Sequence, residues 1–398
     1  MRNKNLNSHD HIPITKPFLG KEEMEAIIKP LETGWIVQGP HVEEFEQKFN
    51  LFTGVKNSIA STSCTTALHM GIKALGIKPG DEVIVPAFTW VSTANVIEYE
   101  GGTPVFCDID LDTYNINVQS IEQLITERTV GIIPVHLFGL CADMDPIIAL
   151  AEKHDVWVME DAACAFGAIY KGNHAGTFGK IGCFSFHPRK SITTGEGGMV
   201  TTQDDDLARI IRSLRDHGAT KTDLTRHEEE GAYLLSNYPM LGFNYRMTDF
   251  QGAVGSAQMN KAEFILDKRK IQAEVYDKEL QSSYNLKIPY VPEGYIHGYQ
   301  AYVTLFCDEE PNLGNVDQMN QRRNLLMAEL ETLGISTRQG THSAALTQFY
   351  TQKYGTSREA FPNSYIAEKL TLSLPLFTDM SELQQEYIIK TVLSKVNQ

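Results

Sequence analysis

The sequence predicts an α/β fold in which helices cover a largely parallel sheet. Two observations carry that prediction. From about Glu82 to Thr202, short β-branched runs alternate with helical patterns, the signature of strands joined by helical crossovers. The strand runs are also almost continuously apolar, as parallel strands buried on both faces are.

The expected strands are "EVIVPAF", "TPVFCDI", "TVGIIPVHLF", "VWVMEDA", "IGCFSF" and "GGMVTT". Between them lie the helix candidates "CTTALHMGIKALGI", "ANVIEYEG", "DPIIALAEKH" and "DLARIIRSLRDHG". After "GFNYRMTDFQ" a long helical pattern follows, with Ala257, Phe264, Ile271 and Val275 recurring at spacings of 7, 7 and 4. It leads into a smaller C-terminal α/β unit. The expected division is an N-terminal arm 1–19, a large domain 20–264 and a small domain 265–398. The polar segment 219–237, with its acidic run, reads as a loop, either a solvated connection or a flap over a site.

Of 398 residues, 42% are hydrophobic, enough for a buried core. A formal net charge of −15 disfavours nucleic acid or an anionic membrane as a general partner, since both require a positive field. Any anionic ligand is then to be held by local donors. Six cysteines, at 64, 107, 141, 164, 183 and 307, form neither a CxxC pair nor a metal-binding spacing. They read as buried free thiols in a reducing compartment, with no metal site expected. The N-terminus is polar and no apolar run reaches the length of a membrane span, so the expected location is cytoplasmic.

The stretch "FSFHPRKSITTGEGG", residues 184–198, places Arg189 and Lys190 on a turn after a strand. Alone, such a lysine is a surface residue. Twenty-nine residues earlier, however, "VWVMEDA" ends in Glu160-Asp161, which puts a carboxylate at the strand edge where α/β sheets bind ligands. Asp161 can equally cap a following helix. A lysine and an aspartate presented together suit pyridoxal phosphate, which needs an amine for a Schiff base and an anion opposite its ring nitrogen. At about 3 Å and an effective dielectric near 20, that attraction is roughly 5 kcal/mol before desolvation. The cofactor's phosphate has a candidate seat at Ser63, Cys64 and Thr65, at the start of a helix whose amides and dipole favour anions, although plain capping explains the Ser and Thr too. Ser185 can add a hydroxyl. Trp90, in "VPAFTWVSTAN", is either a ring platform or core.

Together these segments resemble the DegT/DnrJ/EryC1/StrS aminotransferases, fold-type I pyridoxal phosphate enzymes that mostly aminate nucleotide-linked keto sugars. The resemblance runs from about Thr15 to the C-terminus, through "LETGWIVQGPHVEEFEQKF", "GDEVIVPAFTWVSTANVIEYEGGTPVFCDID", "EDAACAFGAIYKGNHAGTFGKIGCFSFHPRKSITTGEGGMVTT", "GFNYRMTDFQGAVG" and "LSLPLF". It implies that Lys190, not Arg189, forms the internal aldimine and that Arg189 is a neighbouring surface cation. It further implies Asp161 as pyridinium partner, Trp90 as stacking aromatic, and Ser185 and Thr65 as phosphate ligands. Asn244 in "GFNYRM" is implied to reach the phosphate of an adjacent subunit, hence a homodimer with shared active sites. Two departures stand out. Cys64 occupies a position that is commonly glycine. Cys164, near the cofactor, stands for a frequent glutamine, and Phe166 for a frequent histidine.

The implied reaction is a ping-pong transamination from L-glutamate, with pyridoxamine phosphate as the intermediate form of the cofactor and a 4-keto-6-deoxyhexose the commonest acceptor. Lys190 carries the proton, and burial with the nearby ring is expected to lower its pKa. Arg338 and His342 are the candidates for the nucleotide diphosphate, and Arg226 and Tyr238 for the sugar. A pyridoxamine-dependent sugar dehydratase of the same fold is the enzyme alternative, but it would carry histidine in place of Lys190. A non-catalytic relative is the other alternative. Neither GxGxxG after an early strand nor GxxxxGK[ST] is present, which disfavours a nicotinamide dehydrogenase and a P-loop enzyme.

Overall fold

The computed structural model describes residues 11–221 and 236–396. Arg226 and most of the 219–237 segment lie outside the described residues. The first strands in chain order are β1 (Asn57–Ser61), β2 (Glu82–Pro86), β3 (Thr103–Cys107), β4 (Thr129–Ile132) and β5 (Trp157–Asp161). They are followed by the short pair β6 (Ile169–Tyr170) and β7 (Asn173–His174), then by β8 (Ile181–Ser185) and β9 (Gly198–Thr202). The central sheet has the order β1-β9-β8-β5-β4-β2-β3. β9 pairs antiparallel with both neighbours and the other pairings are parallel.

Successive side chains of each strand enter opposite cores, the period-2 alternation of a sheet covered on both faces. Ile84, Val158, Phe184 and Met199 pack with Phe45, Phe49 and Ile147 on one side. Val83, Val85, Met159, Ile181 and Val200 pack with Leu68, Ile72 and Ile211 on the other. Each fully buried aliphatic contributes about 1.5–3 kcal/mol relative to exposure, so the strand edges are held on a stiff platform.

C-terminal to this sheet, β10 (Leu286–Lys287), β12 (Tyr302–Phe306) and β13 (Thr371–Leu374) form a second, antiparallel sheet, and β11 (Tyr295–Ile296) joins β6. A shared apolar cluster joins Phe88 and Val135 to Val303 and Leu305. Backbone bonds add to the junction: Thr89 N–H donates to the His342 carbonyl at 3.1 Å. Ile12 bridges Ile335, so the N-terminal segment lies along the C-terminal part of the chain.

Three sequence expectations are corrected. Strand β1 was not foreseen. The run "TVGIIPVHLF" is a strand only to Ile132, a 3-10 turn taking Leu137–Gly139. The long helical pattern is two helices, Asp249–Met259 and Ala262–Leu280, the expected domain boundary falling within the second. Phe264, Ile271 and Val275 are exposed there. The buried stripe is Ile265, Arg269, Gln272, Ala273, Tyr276 and Leu280, a 3–4 spacing that the sevenfold pattern concealed. Among the described residues no helix is long and apolar enough to cross a membrane.

Candidate active site

Register brings the predicted residues to one edge of the central sheet. Asp161 ends β5 and pairs with Cys183 of β8, while Ser185, at the end of β8, pairs with Gly198, which also pairs with Ser61 at the end of β1. Because β9 runs backwards, its first residue arrives where the parallel strands finish. Lys190 lies on the connection between β8 and β9.

Asp161 is buried. Thr93 Oγ1 donates to its Oδ2 at 2.7 Å and Ala163 N–H to its Oδ1 at 3.1 Å. The capping interpretation fails, since the segment after Asp161 is a series of turns rather than a helix. Burial pushes the carboxyl above the usual carboxylate range, against the opposing effects of Thr93, Ala163 and Lys190. No salt bridge to Asp161 forms among the described residues. A cationic ring nitrogen opposite this carboxylate would supply the missing charge, so the site fits the group the sequence implied.

The neighbouring Glu160 points to the other side of the sheet. Fully buried, it accepts from His136 Nε2 at 2.8 Å and from the amides of Gly176, Phe178 and Gly179 at 2.6–2.7 Å. The Ala142 amide donates to His136 Nδ1 at 3.0 Å, which leaves the ring proton on Nε2, facing Glu160. This carboxylate is scaffold, and Asp161 faces the site.

Lys190 Nζ donates to Cys164 Sγ at 3.0 Å. Burial acts to lower the amine's pKa, but Cys164, Cys64 and Asp161 outweigh it and the net direction is up. Burial alone acts in the direction expected from sequence, and the groups around the amine act against it. Arg189 is exposed, with its carbonyl bonded by Gln300.

At the helix Cys64–Ala74, Ser63 is the N-cap, its hydroxyl accepting from Thr66 N–H at 3.2 Å. The first-turn amides of Cys64 and Thr65 have no partner among the described residues and are oriented to hold an anion. Thr65 Oγ1 donates to Ser92 Oγ at 3.0 Å. Burial raises the Cys64 thiol well above its usual value, so it stays neutral beside that anion seat. Gly198 lies directly under the cap, where a Cβ would collide with the Ser63 carbonyl. Ser185 Oγ accepts only a long bond from His187 N–H, at 3.4 Å.

Trp90 is 60% exposed and lies 5.8 Å, ring to ring, from His342. It therefore lies exposed beside His342 and is not a core residue. Arg338 is exposed, with Nη1 on the Thr337 carbonyl at 3.0 Å and its backbone bridged to Ser373. Tyr238 and Asn244 are exposed, and the Asn244 side chain has no hydrogen bond among the described residues. Phe166 is buried in the core, stacked on Phe52 at 4.7 Å, so its departure from histidine is a packing change. Sequence reasoning missed Thr93. The Thr89-x-x-x-Thr93 spacing was the available signal, since i, i+4 places both hydroxyls on one face.

Comparison with known proteins agrees with this geometry. The family model for the DegT/DnrJ/EryC1/StrS aminotransferases matches residues 17–393. The chain is 36% identical over 381 residues to the spore coat polysaccharide biosynthesis protein SpsC of Bacillus subtilis, covering 96% of each chain. It superposes on PseC of Helicobacter pylori, an aminotransferase in the biosynthesis of pseudoaminic acid, with a TM-score of 0.89 at 26% identity over 98% of this chain and 100% of the other. It is likewise similar to the sugar aminotransferase Spr1654 of Streptococcus pneumoniae in its PLP form, with a TM-score of 0.88 at 28% identity over 97% and 99% of the two chains.

Proposed function

Since the chain belongs to the DegT/DnrJ/EryC1/StrS aminotransferase family, we propose that it moves an amino group from L-glutamate to a nucleotide-linked keto sugar, in the cytoplasm, as a homodimer with shared active sites. Its cofactor is pyridoxal 5′-phosphate. When bound, that group supplies an electron sink for the pair released as a Cα–H bond breaks.

The observation that carries the reading is the pairing of one amine with one buried carboxylate at the sheet edge. Asp161, fixed by Thr93 and Ala163, holds the ring nitrogen in its protonated state. The Cys64 and Thr65 amides, with the Thr65 and Ser185 hydroxyls, take the phosphate. Trp90 covers a ring face and excludes water from it. Lys190 is the residue of attachment and, once displaced by the amino donor, takes the Cα proton on Nζ and returns it during the second half-reaction.

Substrate would enter over Trp90. His342 beside it and Arg338, bridged to Ser373, are the groups proposed for a diphosphate, and the exposed Tyr238 is the one proposed for the sugar. Exposed Leu241 and Asn244 support an interface with a second copy.

The test is the visible spectrum of the purified protein before and after L-glutamate, beside Lys190→Ala. A yellow band that glutamate bleaches, absent in the variant, supports the reading. No band after reconstitution with the cofactor overturns it.

A further inference from the structure

We infer that Cys164 is a positioning residue for Lys190, its sulfur accepting the hydrogen bond that aims the amine along the edge shared with Asp161. The inference rests on Lys190 being the reactive amine of the site.

The contact joins two fixed pieces of backbone. Cys164 lies in the turns after β5, where Ala165 N–H bonds the Ala162 carbonyl at 2.9 Å and Ala168 N–H the Ala165 carbonyl at 3.0 Å, with Ala162 and Ala165 buried on either side. Lys190 is pinned by its own N–H to the His187 carbonyl at 2.8 Å. The 3.0 Å separation of Nζ and Sγ is therefore set by two anchored turns.

Several other groups surround the amine. Cys64 approaches from the first turn of its helix and Asp161 from the end of β5, with Cys183 paired to Asp161 on β8, while His187, Arg189 and Glu196 share the lysine's own loop. Burial raises the Cys64 and Cys183 thiols well above their usual values, keeping both neutral. The Asp161 oxygens already accept from Thr93 and Ala163. Cys164 is the group at hydrogen-bonding distance from Nζ, and the polarisable sulfur favours the protonated amine against burial. In this chain the side chain at position 164 thus sets both the direction of the lysine and the pH at which it turns into a base.

The experiment is competitive acetylation with acetic anhydride across pH. The full-length protein is loaded with pyridoxamine 5′-phosphate so that the lysine amine is free, and the Lys190 peptide is quantified by mass spectrometry. Cys164→Ala should move the labelling midpoint down by about one pH unit, a tenfold change at fixed pH. Cys164→Ser, which keeps a short acceptor, should restore part of the shift and stands in if the alanine variant does not fold. A midpoint unchanged in both variants overturns the inference. Borohydride reduction of protein loaded with pyridoxal 5′-phosphate separately identifies the lysine that carries the cofactor. A tag elsewhere than Lys190 overturns the active-site reading, while the acetylation midpoints still report whether Cys164 and Lys190 are coupled.

Discussion

Thr93 Oγ1 donates a hydrogen bond to Asp161 Oδ2 at 2.7 Å, and the Thr89 hydroxyl lies 3.1 Å behind it. A hydroxyl has a single proton, so Thr93 donates to the carboxylate while its oxygen accepts from Thr89. Trp90 belongs to the same turn, its carbonyl receiving Thr93 N–H at 3.3 Å. Trp90 and the carboxylate are thus held by one short segment, and movement of one is felt by the other.

Thr93→Val keeps the shape and removes the proton. Losing a hydrogen bond to a charged group costs about 1.5–3 kcal/mol, so pyridoxal phosphate should dissociate roughly 10–100-fold more readily. Titration of the apoprotein by absorbance measures this, with Thr93→Ser expected to recover most of the affinity.

Glu160→Ala should damage stability rather than chemistry. The carboxylate takes His136 Nε2 and three amides in a site with no solvent exposure, and removing one partner of a buried charged network costs about 3–5 kcal/mol. Urea denaturation followed by circular dichroism should show that loss. Any folded fraction should still bind the cofactor.

His174 makes stability fall in acid. Nε2 accepts from Gly167 N–H at 2.9 Å and Nδ1 donates to the Ala175 carbonyl at 2.6 Å, so the neutral ring is fully used. Burial lowers its pKa from 6.5 to about 4. A folded value below the unfolded one gives stability that is complete above about pH 6.5 and lost as pH falls toward 4, about 2 kcal/mol of it by pH 5. Denaturation midpoints at pH 7.5 and 5 should differ more for the wild type than for His174→Gln.

Gly198→Ala tests the anion seat. Its Cβ would meet the backbone of Ser63 and Cys64, which no rotamer change relieves. The helix start must shift, and the expected result is loss of cofactor from a protein whose helical content is unchanged.

If Asn244 serves the neighbouring subunit, Asn244→Ala and Lys190→Ala preparations, each weak alone, should regain activity when mixed and refolded together. One intact site per mixed dimer is the expected yield, and absence of rescue argues for self-contained sites.

Much of the site was legible because strand ends carry their own punctuation. "VWVMED" and "IGCFSF" mark apolar strands that stop at a charge or a turn, and the parallel pattern places such stops on one edge, so Asp161 and Lys190 followed. What register decides was not legible. Nothing local in "NSIAS" distinguishes an edge strand from a loop, and its place in the sheet depends on pairing with β9, more than a hundred positions away. The stripe Phe264, Ile271 and Val275 misled for a related reason: an apolar face says that a surface is covered or coverable, not which side the core is on. Thr93 was passed over because a hydroxyl at a helix start has an ordinary local use, and only the fold brings Asp161 within its reach.

The connection that bears Lys190 leaves β8 and returns along β9, closed at its base by Phe186 N–H on the Gly197 carbonyl and by Thr194 N–H on the Phe186 carbonyl. A tether fastened at both ends to adjacent strands has almost no slack. If Lys190 both carries the cofactor and moves the proton, it can change between those duties only by turning about its own side-chain bonds, while the peptide beneath it stays still. The ordering that such precision demands is completed when the chain folds, so none of it is left to be imposed during turnover.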